Sequence, residues 1–162
     1  MRRGFNEDSS EGAPICRWTD GRVLLDVMPT EPEILGFGNE WYTPAMEHSI
    51  NVGLPGGEII RIVSAPYFLI TKLQAFEGRG DGDFQISHDI EDLVAVADGR
   101  PSITDEVSRS DVVLRKALSD RFRGLLDNSR FMDAVSGHLP TDAASQARVP
   151  LVISRMKQMA GI

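Results

Sequence analysis

The sequence predicts an α+β fold: a small, mostly antiparallel sheet made of two hairpins, followed by a C-terminal helical region. Three observations predict it. Asp20-Gly21 separates two short apolar runs, and Pro55-Gly56-Gly57 separates two more. From Pro66 onward, apolar residues recur at the spacing of a helix face instead. Strands first and helices later is the order of an α+β chain, not of alternating βα units. The 162 residues read as a single domain, large enough to bury a real core.

Residues 1–14 are polar, rich in Glu, Asp, Ser and Gly, and read as a flexible lead-in. Residues 15–19 and 23–27 are the first pair of strands, because Asp-Gly between apolar runs is a strong hairpin signal. Asp26 interrupts the second run, Val23-Leu24-Leu25-Asp26-Val27-Met28. A carboxylate there must face solvent, pair with a cation or bind a metal, because burying it bare is costly. Residues 29–39 hold two prolines and two glycines and read as a loop. Trp41, Tyr42 and Met46 around Pro44 are expected to form a short helix or an aromatic lid, with core packing as the simplest use. Residues 48–54 and 58–63 form the second hairpin, where Ile60 and Ile62 alternate with Arg61 in the period of a half-buried strand.

The stretch 66–99 organises the rest. Pro66 suits the start of a helix whose buried face is Leu69, Ile70, Leu73 and Phe76. Gly78, Gly80 and Gly82 end it in a glycine-rich loop. Ser87 is a good N-cap for a second helix, with Asp89, Glu91 and Asp92 in its first turns and Ile90, Leu93, Val94 and Ala97 as its buried stripe. Asp98-Gly99 is its stop signal. Asp89 and Asp92 are three apart and share a face, which Lys72 reaches if the two helices pack antiparallel. A lysine between carboxylates is one way to hold a phosphate or a metal–nucleotide complex. The alternative is a solvated helix edge with an ordinary ion pair, worth little. Farther on, Val107, Leu114, Leu118, Phe122 and Leu125 fit one helical stripe to about Leu126. Ser129 suits the cap of a short helix ending at Gly137. Asp142 suits the cap of a last helix running through Met159 and kinked at Pro150.

Composition narrows the function. A net charge of -7 argues against a broad nucleic-acid-binding surface, though not against a local basic pocket. The one cysteine, Cys16, allows no intramolecular disulfide or cysteine metal cluster and reads as a small core residue. Met1-Arg2-Arg3 leads into polar residues, so no signal peptide is expected, and no apolar stretch is long enough to span a membrane. A cytoplasmic protein is therefore expected. His48, His88 and His138 lack metal-ligand spacing, and neither a GxxxxGK[ST] loop nor a G-x-S-x-G context occurs.

Two segments carry a resemblance: Val23-Leu24-Leu25-Asp26-Val27-Met28-Pro29, and the stretch from Lys72 to Asp92. With them, residues 12–100 resemble nucleotidyltransferase-like proteins of the polymerase-β type, related to abortive-infection toxin nucleotidyltransferases. The resemblance implies that residues 15–100 are the nucleotidyltransferase-like part and 101–162 a helical part. It implies Asp26 as the third metal-binding carboxylate and Lys72 as the helix lysine on nucleotide phosphate. It also implies Asp89 and Asp92 as an Asp-x-x-Asp pair that orients Lys72 or the substrate, after a basic loop containing Arg79.

The departure from that family is as informative. Such enzymes place a Gly-Ser or Gly-Gly turn and an Asp-x-Asp pair before the third carboxylate. Together the three hold Mg²⁺ ions that align the NTP phosphates and activate the attacking hydroxyl. No Gly-Ser turn and no Asp-x-Asp pair precedes Asp26 here, and one carboxylate does not supply the several oxygens a hard cation needs. Two readings follow. The chain is a nucleotidyltransferase whose missing carboxylates come from an upstream segment or a partner. Alternatively, it is a non-catalytic module that binds a nucleotide or a protein, as a homodimer or with a partner such as an antitoxin. A plain α+β domain with structural charges is the third and blandest reading.

Overall fold

The computed structural model describes residues 4–36, 38–79 and 82–162, and of Leu35 and Arg79 the backbone alone. The architecture is α+β, with small antiparallel sheets at the N-terminal side and a helical region after them. The chain divides into two compact units, Met1–Tyr42 and Thr43–Ile162.

The first unit is built on a three-stranded antiparallel sheet in the order β1-β2-β3: β1 Asn6–Glu7, β2 Arg17–Thr19 and β3 Leu24–Asp26. β2 and β3 form the expected hairpin, and Gly21 supplies the left-handed residue in its turn, at φ 87°. Asp20 Oδ1 accepts the N–H groups of Arg22 and Val23 and so fixes the turn chemically. β1 comes from the polar lead-in, which pairs with β2 through backbone groups that every residue carries. The proline-rich loop contains one helical turn, α1 (Pro32–Leu35). Cys16 is half-buried rather than a core residue.

The second unit includes most of α2 (Tyr42–Glu47), which spans the division, then the hairpin β4 (Ile50–Gly53) and β5 (Ile59–Ile62). Trp41, Tyr42 and Met46 thus stand on and beside a short helix, but Met46 is exposed and no core residue. The register pairs Ile50 with Ile62 and Val52 with Ile60, so these four side chains share one face. Arg61, on the other face, donates from Nη2 to the Met46 carbonyl at 2.7 Å.

The core lies among the helices. α3 (Ala65–Arg79) buries Leu69, Ile70, Leu73 and Phe76, and α4 (His88–Gly99) buries Ile90, Leu93, Val94 and Ala97, each as its periodicity predicts. α3 runs through Gly78 to Arg79, one residue past the expected glycine stop, and Gly80 lies outside the described residues. Ser87 caps α4 by accepting the Ile90 N–H. The long stripe expected from Val107 to Leu125 is two helices, α5 (Ile103–Ser108) and α6 (Val112–Leu126). The break is Asp111, whose Oδ1 accepts the N–H groups of Val113 and Leu114. The stripe residues are buried all the same.

α7 (Ser129–Ala134) is capped by Asn128, not Ser129, and runs into a 3-10 turn at Val135–His138. Asp142 caps only the short α8 (Ala143–Gln146). The last helix, α9 (Val149–Ala160), starts afresh with Pro150 in its first turn, where the ring costs no hydrogen bond and makes no kink. α9 packs on α4, α5 and α6.

The Asp111 cap also anchors a chain of contacts. Tyr67 Oη donates to its Oδ2 at 3.2 Å, and the His48 ring stacks on Tyr67 with centroids 5.2 Å apart. The Leu114 N–H is the main cause holding the Asp111 carboxyl below its ordinary pKa, with Tyr67 assisting. A depressed carboxylate contributes stability above its unfolded pKa and loses it as pH falls through the folded value. Asp111→Ala is expected to cost the helical unit about 1 kcal/mol at pH 7, a difference that narrows as acidification protonates the carboxyl. Thermal unfolding of both proteins from neutral pH downward checks it.

Candidate functional site

The site predicted around Lys72 forms where α3 packs on α4. Lys72 Nζ lies 2.6 Å from Asp92 Oδ2 and 3.3 Å from Asp89 Oδ1. The spacing of the two aspartates puts both on the α4 face that meets α3. They differ in surroundings: Asp89 is buried, at 4% exposure, whereas the Asp92 side chain is 40% exposed. Lys72 Nζ also sits 5.5 Å from the centre of the Phe68 ring, one turn earlier on α3. Burial works against the ammonium, but the hydrogen bonds and charges of Asp92 and Asp89 outweigh it and hold the Lys72 pKa above its ordinary value. The lysine is therefore a charged, clamped donor. Arg79 closes α3, and its side chain lies outside the described residues.

Asp26 belongs to the first unit. It stands opposite Arg17 across the β2–β3 hairpin, and the two form a bidentate pair, Nε to Oδ1 at 2.8 Å and Nη2 to Oδ2 at 2.9 Å. The Arg17 hydrogen bond holds the Asp26 carboxyl below the usual carboxylate range. Of the three fates open to a carboxylate in this strand, two are observed together: Asp26 faces solvent, 42% exposed, and pairs with a cation. Asp-Gly by itself does not give the partner: Arg17 lies three residues before Asp20 and Asp26 five after Gly21, and the two meet because the turn takes in residues 20–23.

These residues do not fit a bound magnesium ion. Both Asp26 oxygens are engaged by Arg17, and Asp89 and Asp92 converge on an ammonium. Among the described residues, no three His, Cys, Asp or Glu side chains gather so as to hold a metal. The sequence expectation for Mg²⁺ depended on carboxylates supplied from elsewhere.

Elsewhere in the second unit, an open cleft of about 450 Å³ lies between the start of α4 and the 3-10 turn, lined by His88, Glu91 and His138 among others. Its two histidines are already bonded, His138 Nε2 to the Phe84 carbonyl at 2.6 Å and His88 Nδ1 to Glu91 at 3.0 Å. Sequence reading also missed the arginines that close the end of α4. Arg148 pairs with Asp98 at 2.8 and 3.0 Å, and Arg155 donates to the Ala97 and Asp98 carbonyls. Their partners are 50 or more residues away in the chain, a distance at which periodicity is silent. No helix among the described residues is long and apolar enough to cross a membrane.

No protein-family model matches the chain, and no curated protein and no solved structure matches it either.

Proposed function

We propose that this chain is a nucleotidyltransferase-like protein that works as a binding module for another protein, without transferring nucleotides itself. One observation carries this reading. Apolar residues in and beside the N-terminal strands are exposed: Ile15, Val23, Leu24, Leu25, Val27 and Met28 on and around the β2–β3 hairpin of the first unit, and separately Ile59, Ile60 and Ile62 in β5 of the second. Large apolar side chains gathered on short, open strands mark a surface made to be covered. The charges agree. Asp26 is committed to Arg17, and Lys72 to Asp89 and Asp92, so the groups that catalysis would draw on are neutralised within the fold. A cytoplasmic setting fits a chain whose one cysteine has no second cysteine to pair with.

Lys72 also favours a second reading, a module that binds a nucleotide. Its side chain is 25% exposed beside the Phe68 ring, and a nucleotide phosphate would displace Asp92, the more exposed carboxylate. Calorimetric titration with Mg-ATP, Mg-GTP, Mg-CTP and Mg-UTP separates the two, with Lys72→Met as control. No saturable heat is expected from any of the four. Saturable binding that Lys72→Met abolishes would overturn the protein-binding reading in favour of the nucleotide site.

A further inference from the structure

We propose that the cleft where α5 and α6 meet the end of α9 binds a small organic molecule carrying an anionic group at each end. Neither Lys72 nor any strand residue lines this cleft.

It encloses about 430 Å³, within the range of small-molecule sites. Arg115, Lys116, Ser119, Asp120 and Arg123 of α6 line it, together with Gln158 of α9. Three cations against one carboxylate leave an excess of positive charge there, in a chain whose net charge is -7. The Asp120 carboxyl registers that excess. Lys116 Nζ donates to it at 2.6 Å, and the nearby charges of Arg123 and Arg121 help to hold its pKa below the ordinary value.

The two arginines of the cleft are held by neutral partners. Arg17, Lys72, Arg100 and Arg148 each pair with a carboxylate. Arg115 instead donates from Nη1 to the Ser108 carbonyl at 2.7 Å and to the Ser110 carbonyl at 3.3 Å. Arg123 donates from Nε to the Ala160 carbonyl at 2.8 Å, which the Ser119 hydroxyl also bonds at 2.8 Å. A carbonyl fixes a guanidinium in place without cancelling its charge, and these bonds engage only part of each five-donor fork. Capping the ends of α5 and α9 accounts for where each arginine stands. It does not account for both meeting Lys116 in one cleft.

Spacing sets the shape of the ligand. Arg115 and Arg123 are eight residues apart, about 12 Å along α6. One is anchored at the end of α5 and the other at the end of α9. Positive charge therefore stands toward two ends of the cleft, and two separated anions complement it better than one. The guanidinium fork suits phosphate and carboxylate alike, so both are tested.

Calorimetric titration of the full chain uses two pairs of probes. Fructose 1,6-bisphosphate is compared with fructose 6-phosphate, and adipate with hexanoate. At least one two-ended probe is expected to bind at least about tenfold more tightly than its one-ended partner. The pair that does so identifies the anion as phosphate or carboxylate. Arg115→Gln and Arg123→Gln keep an N–H for the carbonyl but lose the charge, and each should weaken that binding by about fivefold or more. Asp120→Asn removes the opposing carboxylate and should tighten it by about threefold or more, a gain that a misfolded variant does not produce. Magnesium nucleotides gather their charge at one end and belong with the one-ended probes. No saturable binding of either two-ended probe, or equal affinity within both pairs, would overturn the proposal. So would an Asp120→Asn protein that binds no tighter, or binding that neither glutamine variant weakens.

Discussion

Phe122→Ala is expected to lower the unfolding free energy by about 3–5 kcal/mol, the usual cost of emptying a large buried aromatic site. Phe122 is fully buried on α6, the helix that packs on both α3 and α9. An interior packed among helices leaves its walls little freedom to collapse into the space left behind. For a chain of this size, that loss corresponds to a melting temperature lower by roughly 6–20 °C. Val113→Ala supplies the contrast on the same helix. Val113 is exposed, and its truncation should change stability by no more than about 0.5 kcal/mol. Paired thermal or denaturant melts of the two variants decide the matter. A small effect at Phe122 would mean that the helical core is packed differently from the description given above.

Lys72→Met is expected to produce the second-largest effect, a loss of about 1–3 kcal/mol at neutral pH. Removing one partner of a buried pair weakens the setting of the other charge. Here that charge is Asp89, inside the α3–α4 contact, which loses the ammonium 3.3 Å away. The figure stays below the full cost of a buried pair because Lys72 and Asp92 are partly solvated and screened. Methionine keeps the apolar stem, so the change isolates the ammonium. The sign of the pH dependence follows from the raised Lys72 pKa. A cation whose folded pKa is raised contributes stability below its unfolded value, near pH 10.4, and loses it as pH rises through the folded one. Urea melts at pH 7 and 11 test this. A deficit that stays constant across them would assign the effect to packing instead of charge.

The function of Lys72 and its stability effect are distinct questions. A clamped lysine that contributes only stability would give the loss just described and no nucleotide signal. A phosphate-binding lysine would give both.

How legible the molecule is from its sequence varies with the range of the force concerned. Both hairpins were readable, because Asp20-Gly21 and Pro55-Gly56-Gly57 set turns within a few residues. The buried stripes of α3 and α4 were readable because helical period and burial are tied together by geometry. The meeting of Lys72 with Asp89 and Asp92 followed from two such stripes packing face to face. The break at Asp111 was missed, although an acid placed before Val112-Val113-Leu114 is a cap signal, because the apolar stripe continues through it.

By itself, then, the sequence determined the fold class, the two hairpins, the core faces of α3 and α4, and the single cysteine, but not β1, α1 or the breaks that separate α5 from α6 and α8 from α9. Apart from Lys72 and its two aspartates, tertiary structure decided which charges meet, and it alone decided which apolar residues stay outside. Asp26 went to Arg17, Arg148 to Asp98, and Tyr67 to Asp111. Val23-Leu24-Leu25 look like core in the sequence, yet they face outward. The physical reason is that local pattern records what each short segment must bury or satisfy, but not what stands on its other side. That is set by contacts tens of residues apart.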